Sequence, residues 1–398
     1  MNESKGKWSP PYNIGLLPFV FGPLSQPRNG ADLPDFLPFS IDIDPKTGTM
    51  TQMSNAHVSH ALESAYRMGS HISGMMDDSG IGKEYADDFI RFLKSILAKD
   101  RFDGLRILEI GCGTGYLLYL LKNLGAEVIG IEPGRHGQEG SIRYGVPVVQ
   151  DFFPSSEIRG YYDLIILYDV IEHIEEPISF LQEAAKLLNP GGRIALSVPD
   201  CQPYMQSGDI SLLLHEHWNY YTQKTLRTTI LQALEGDVRI FNSSYGGALY
   251  ALATIGSARK MPPNTDLAAR LLEAQRFCSL IQVNINKVAS VLEAALQKDE
   301  TVGIYVPGRA INTLSILQNK MKLPKLRFFD DNPYLYRKYY PGFPYPIESK
   351  NDLFEKPANT VLVFSKSFGD QIKTALSREL PNLDIMVWDE IFGGGKTN

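Results

Sequence analysis

Cysteine is scarce in this chain of 398 residues: Cys112, Cys201 and Cys278 are all there is. They lie far apart and form no C-x-x-C pair. No disulfide framework is expected, and the chain fits a reducing cytoplasm. Basic charge is not in excess either. There are 39 Lys and Arg against 45 Asp and Glu, a net charge of −6. No basic tract occurs, so nucleic acid is not expected as a partner, because phosphate binding needs clustered Lys and Arg. No apolar run approaches the length that spans a bilayer, and no N-terminal apolar segment of the signal-peptide kind is found. A membrane is therefore not an expected partner. The metalloprotease arrangement H-E-x-x-H is also missing, and no metal is expected.

What is present starts at residues 105–115, L-R-I-L-E-I-G-C-G-T-G. The first five residues read as a short buried strand. Gly111, Gly113 and Gly115 follow at every second position, then a helical segment from Tyr116. Glycine removes the Cβ that would keep a backbone N–H from a ligand, so strand, glycine turn and helix together suit an anionic or nucleotide ligand. The dinucleotide fingerprint G-x-G-x-x-G does not fit, since Tyr116 stands where its third glycine would be. Cys112, inside the turn, reads as a small tolerated residue rather than a redox group.

Residues 106–198 alternate strands and helices, the pattern of a parallel sheet covered on both faces. The strands are R-I-L-E-I, E-V-I-G-I-E, V-P-V-V-Q-D, D-L-I-I-L-Y-D and G-R-I-A-L-S-V. A helix is expected after each of the first four. Ligands bind beyond the carboxyl ends of such strands. Glu132 ends the second strand, 132 − 111 = 21 residues after Gly111, where an acid accepts hydrogen bonds from ribose hydroxyls. Asp151 and Phe152 end the third; they suit an adenine amino group and ring, although Asp151 also suits a helix N-cap. Asp169 ends the fourth.

These motifs, L-E-I-G-C-G-T-G-Y, V-I-G-I-E-P, Y-D-L-I-I-L-Y-D-V-I-E-H-I-E-E-P and L-L-N-P-G-G-R-I, resemble class I S-adenosylmethionine (SAM) methyltransferases over residues 105–200. The resemblance implies SAM as cofactor. It implies that Glu132 holds the ribose, Asp151 and Phe152 the adenine, and Asp169 to Ile171 the methionine side. Glu109, Gly111, Gly113, Gly115 and Tyr66 complete the expected cofactor set. The fold expected is α/β: a Rossmann-like SAM methyltransferase sheet domain at 85–255, a second smaller α/β domain at 256–398, and an irregular and helical lobe at 1–84. In that lobe, residues 1–55 are expected to hold few hydrogen-bonded elements. The segment M-G-S-H-I-S-G-M-M reads as flexible and polar; a methionine and glycine cluster of this kind is usually packing filler, and its place before the helix that leads into the glycine strand could also let it cover the cofactor. The tail G-G-G-K-T-N is expected to lack order.

The acceptor side is read from H-E-H-W-N-Y-Y-T at 215–222. Neighbouring residues point to opposite faces of a strand and diverge on a helix, so His215, Glu216 and His217 do not make a ready metal site. A histidine beside a carboxylate fits acid–base chemistry; the bland alternative is a polar loop capping a helix near Thr222. This motif, with S-S-Y-G-G-A-L-Y-A-L-A at 243–253 and D-D-N-P-Y-L-Y-R-K-Y-Y-P-G-F-P-Y-P-I at 330–347, resembles the sugar C-methyltransferases that act on nucleotide-linked keto-deoxysugars. Along with the SAM motifs, the likeness covers roughly residues 60–385. It implies His217 as base, Glu216 as its orienter or a substrate ligand, Tyr220 as a second acid/base or oxyanion donor, and His173 at the border of the same pocket. It also implies His215, Tyr245, Arg309 and Asn312 on the acceptor, which would sit between the last two domains.

The departures fall on the acceptor side. The family's N-terminal zinc cysteines are absent. Leu214 and Tyr245 stand where a tyrosine and a histidine are common. In the C-terminal loop Y-V-P-G-R-A-I-N-T only Tyr305, Asn312 and Thr313 match. Gly308, Arg309 and Asn312 could receive a phosphate at the helix N-terminus, or the C-terminal unit could be purely structural. O- or N-methylation of another small metabolite is the alternative, and a non-catalytic SAM-binding protein the next.

Overall fold

The computed structural model describes residues 10–20, 22–27, 33–53, 55–68, 78, 80–256 and 266–392. The M-G-S-H-I-S-G-M-M stretch beyond Met68 and the tail 393–398 lie outside them. Two compact units emerge, and neither is continuous. One comprises Asp42–Gln202 and Glu216–Leu271; the other comprises Met1–Ile41, Pro203–His215 and Leu272–Asn398. This division replaces the three successive blocks expected from sequence. Composition shifts mark places along the chain, not which segments fold back on one another.

The first unit is built on a seven-stranded sheet. Its strands are β1 (Arg106–Ile110), β2 (Glu127–Ile131), β3 (Val148–Val149), β4 (Tyr162–Tyr168), β5 (Leu188–Pro199), β6 (Gly236–Asn242) and β7 (Ala248–Ile255). The spatial order is β6-β7-β5-β4-β1-β2-β3. Neighbours from β3 to β5 are parallel, and β7 runs antiparallel to both β5 and β6. Chain direction across the sheet reverses at β1, so a crevice opens where β1 meets β4.

Both faces are covered, which is why these strands read as continuous apolar runs. Along β4, Leu164 and Ile166 join one core while Ile165 and Leu167 join the other. Helices Tyr116–Asn123, Arg135–Tyr144 and Pro177–Ala185 follow β1, β2 and β4. No helix follows β3, contrary to expectation. The connection S-S-E-I-R-G after cis Phe153–Pro154 has no apolar periodicity to bury a helix face.

In the other unit, Tyr12–Pro18 pairs antiparallel with Phe36–Ile43. The few elements expected here are thus two well-formed strands. Buried Phe39, Ile41 and Ile43 alternate with polar positions, a period-2 signal hidden among the prolines. A parallel five-stranded sheet follows, in the order Ile347–Glu348, Lys325–Phe329, Thr301–Tyr305, Thr360–Val363, Asp384–Val387. Among the described residues no helix is long and apolar enough to cross a membrane.

Candidate active site

The glycine turn after β1 adopts the backbone that only glycine takes without strain. Gly111, Gly113 and Gly115 have φ of 72°, 52° and 75°. A Cβ on Gly111 would stand 2.6 Å from Val170 Cγ2. The turn is tied to the end of β2, where the Gly111 N–H donates to Ile131 O at 2.8 Å. Glu132, next along, is nearly buried. Its Oε2 accepts from the Gly113 N–H at 3.1 Å and its Oε1 from the Gly134 N–H at 2.9 Å. One carboxylate thus aims two loops.

Beneath the turn, Glu109 is buried, and its Oε2 has no hydrogen-bond partner among the described residues. Burial, with the Glu132 charge adding to it, pushes the Glu109 carboxyl well above its usual range.

Past β4, Asp169 sits in left-handed backbone at φ 52°. Ser197 Oγ donates to its Oδ1 at 2.7 Å, and its N–H donates to Ser197 O at 3.0 Å, which fixes this sparse conformation. A short 3-10 turn, Ile171–His173, comes next. Three hydrogen bonds lace this turn to the segment that begins at Glu216. The Trp218 N–H donates to Glu172 O at 2.7 Å, Asn219 Nδ2 to Ile174 O at 2.7 Å, and His173 Nδ1 to Glu216 O at 3.0 Å. They gather Glu172, His173, Glu216 and His217. The His173 and His217 rings meet edge to face, with centroids 4.7 Å apart, and Tyr220 stands 6.2 Å from His217. Burial pushes the Glu216 carboxyl up to about 8, lowers His173 to about 4 and takes His217 well below its ordinary value. Both rings are therefore neutral near pH 7.

A family described as a methyltransferase domain matches residues 81–233. Residues 81–233 form a class I SAM-dependent methyltransferase domain. Within the chain, 104 residues are 36% identical to the ubiquinone biosynthesis O-methyltransferase of Nitrobacter winogradskyi, 24% of this chain and 38% of that protein. The protein of the same description from Proteus mirabilis is 34% identical over 110 residues, 25% of this chain and 45% of that protein. The chain spans less than half the length of these curated relatives. The solved structure of the magnesium protoporphyrin IX methyltransferase of Synechocystis PCC 6803, with bound S-adenosylhomocysteine (SAH), is similar at 18% identity and a TM-score of 0.34, over 46% of this chain and 90% of that one.

SAM is the cofactor of this methyltransferase domain, and the residues present fit it. The glycine cradle leaves room where side chains would fill it, the Glu132 carboxylate stands at the end of β2, and Glu109 offers an unpaired buried oxygen beside the turn.

Sequence reading named most of the domain's strand-end residues, with differences in setting. Asp151 is exposed and its Oδ1 accepts from its neighbour Phe152 N–H at 2.8 Å; the Phe152 ring is 40% exposed. Tyr66 is on helix Ala56–Met68, but its side chain lies outside the described residues. Tyr245 is 42% exposed, stacks on Tyr85 at 4.3 Å and lies 3.4 Å from the Tyr168 hydroxyl at the end of β4.

Three expected roles need correction. Glu216 makes no side-chain contact that would orient His217: among the described residues both its carboxylate oxygens lack a hydrogen-bond partner, while its backbone carbonyl meets His173 Nδ1. His215 is not an acceptor ligand but a core histidine of the other unit, 1% exposed between Phe19 and Phe39, with Nε2 3.3 Å from Leu17 O. Asn312 is buried there too, and its amide donates to Ile210 O at 2.7 Å and Leu213 O at 2.8 Å, so it clamps that loop. Arg309 is half-exposed in the same unit, with Nη1 3.5 Å from Asp209 Oδ2 and its guanidinium over the Tyr204 ring. No metal is expected from the sequence, and a different set of donors from His215, Glu216 and His217 comes together. Glu172, His173 and His217 bring one donor atom each within 4.8 Å of one another.

Two residues escaped sequence reading. Glu172 is the only acid in an apolar turn, V-I-E-H-I, and that isolation was its signal. Asp88 is buried on helix Gly80–Leu97. Its Oδ2 accepts from the Ser244 N–H at 3.1 Å and the Tyr250 hydroxyl at 2.9 Å, and its Oδ1 from the Ser244 hydroxyl and Arg91. It thereby holds the turn that presents Tyr245. Burial alone would raise its pKa, but these hydrogen bonds outweigh that and lower it. A folded pKa below the unfolded one gives stability that is present above about pH 4 and lost as pH falls through the folded value. Asp88→Asn should therefore lose about 1–3 kcal/mol at pH 7. By calorimetry, its melting-temperature gap to the parent should narrow toward pH 3; a gap constant with pH would refute this.

Proposed function

We propose that the chain methylates a small-molecule acceptor on carbon, and that the acceptor is a nucleotide-linked keto-deoxysugar. The observation that carries the reading is the pairing of a nucleotide cradle with a buried Glu–His cluster laced to the end of β4. SAM, when bound, supplies a sulfonium methyl group whose departing bond electrons stay on sulfur. Gly111, Gly113 and Gly115 let the backbone approach it, and Glu132 accepts from the ribose hydroxyls. Asp151 and Phe152 meet the adenine, and Asp169 borders the methionine end. A ketone acidifies the carbon beside it. A ring nitrogen of His217 takes that proton, the freed electron pair becomes the new carbon–carbon bond, and the Tyr220 hydroxyl donates to the enolate oxygen.

A second reading is O-methylation, supported by the curated relatives, which are named as O-methyltransferases. In that case the same nitrogen takes a hydroxyl proton. The two differ in deuterium oxide. An enolising acceptor exchanges its α-proton on the protein, and a hydroxyl acceptor does not exchange carbon-bound hydrogen. The test is a screen of nucleotide-sugars for binding alongside SAH, followed by mass spectrometry and NMR of the product. A methyl group on oxygen would overturn the carbon reading. For the cofactor half, Glu132→Ala should weaken SAH binding by about 100-fold, because it removes the ribose acceptor and leaves two loop N–H groups unpaired. Unchanged affinity by calorimetry would remove Glu132 from the site.

A further inference from the structure

Glu172 is 1% exposed, yet neither of its carboxylate oxygens has a hydrogen-bond partner among the described residues. A carboxylate taken out of water is strongly unfavourable unless it is paired, ligates a metal or takes up a proton, and burial pushes the Glu172 carboxyl well above its usual range. Its Oε1 lies 3.9 Å from His173 Nε2, too far for a hydrogen bond. The other nitrogen of that ring, Nδ1, is 3.0 Å from the Glu216 carbonyl. A carbonyl can only accept, so the proton is on Nδ1 and the Nε2 lone pair faces Glu172. Metal-ligating histidines are held in just this way, by a carbonyl behind the ring. His217 stands edge-on to His173 and adds a second imidazole.

We propose that Glu172, His173 and His217 bind one divalent cation. Two imidazoles and a carboxylate suit zinc and leave a further position open. Their donor atoms lie within 4.8 Å of one another. Metal bonds of about 2.1 Å set tetrahedral ligands about 3.4 Å apart, so the side chains close in by roughly an ångström. The hydrogen-bonded backbone between the 171–173 turn and the segment from Glu216 stays in place. Glu216, a second buried carboxyl group without a side-chain hydrogen-bond partner among the described residues, belongs to the same cluster.

The role of the cation rests on the methylation reading. Its open position would receive the acceptor oxygen and polarise it. A His217 nitrogen that holds a cation cannot also take the proton, so metal binding decides between these two roles for His217.

The test uses the full chain, stripped with chelator and titrated with Co²⁺ alone by visible absorption, then with Zn²⁺ by calorimetry. One equivalent should bind. Glu172→Gln and His217→Ala should each weaken binding by about 100-fold, while His57→Ala, on an exposed helix face, should not. SAH affinity reports that each variant is folded, and Glu172→Gln keeps its shape should His217→Ala misfold. No saturable Co²⁺ binding, or binding that Glu172→Gln leaves unchanged, overturns the site. Failure of the parent chain to bind SAH would instead sink the methylation reading and leave the metal result standing.

Discussion

Alanine in place of His217 should lower methyl transfer by about 10²–10⁴-fold, the range a positioned acid–base group contributes. SAH affinity should stay where it is. The separation follows from placement. His217 is reached from β4 through the Ile171–His173 turn, whereas the cofactor cradle hangs on β1 and β2. Its ring packs on His173 at 4.7 Å, so the variant also opens a small void and should lose some stability. The measurement is single-turnover methyl transfer beside SAH calorimetry. Turnover that survives His217→Ala would remove this residue from the chemistry in either role. Loss of turnover together with SAH binding would point to collapse of the cluster, and His217→Gln, nearer in volume, would separate the two.

A methyl group at position 140 should do comparable damage from the cofactor side. Gly140 lies in helix Arg135–Tyr144, and an added Cβ would stand 1.8 Å from the Thr114 carbonyl oxygen and 2.5 Å from its carbon. That neighbour is backbone, inside the glycine turn, and cannot swing aside as a side chain would. Gly140→Ala must displace the turn, the helix or both, costing about 1–3 kcal/mol or more. The turn carries the Gly113 N–H that meets Glu132, so displacement should also weaken SAH binding, by about tenfold for each 1.4 kcal/mol. Glu139→Ala, on the exposed side of the same helix, should change neither quantity. A Gly140→Ala protein with parental melting temperature and SAH affinity would show that the turn tolerates the shift.

The cofactor half was legible in sequence because its causes are local. Three glycines need positive φ, and they sit between a strand and a helix that periodicity identifies. Glu132 follows one strand later. Gly137 and Gly140, three residues apart on one face of a weak helix, were a further local signal: each glycine costs about 1 kcal/mol of helix propensity, and here it allows close packing on Glu132 and Thr114.

The acceptor half was legible only in part. His173 and Glu216 are 43 residues apart and meet through backbone hydrogen bonds that no motif spells out. Adjacent residues can also part company. His215 turned into a core among Phe19 and Phe39, while Glu216 and His217 joined the unit of the seven-stranded sheet. Asn312 matched a family position and proved to be a clamp, since a buried amide satisfies backbone carbonyls as readily as it meets a ligand.

The pairing of distant segments in the unit that holds the five-stranded sheet bears on how the chain is made. The Ser315 hydroxyl donates to Leu16 O, a bond spanning 299 positions, and a Cβ on Gly15 would touch Ile316 at 3.3 Å. At about 5–20 residues per second, a ribosome delivers helix Ile311–Gln318 roughly 15–60 s after strand Tyr12–Pro18. The unit of the seven-stranded sheet, whose last residue is Leu271, is synthesised inside that interval. Through that time the strand's apolar face, Leu17 among it, waits without its helix. Chains stalled between residues 271 and 311 should therefore bind SAH and yet retain chaperones on residues 12–18.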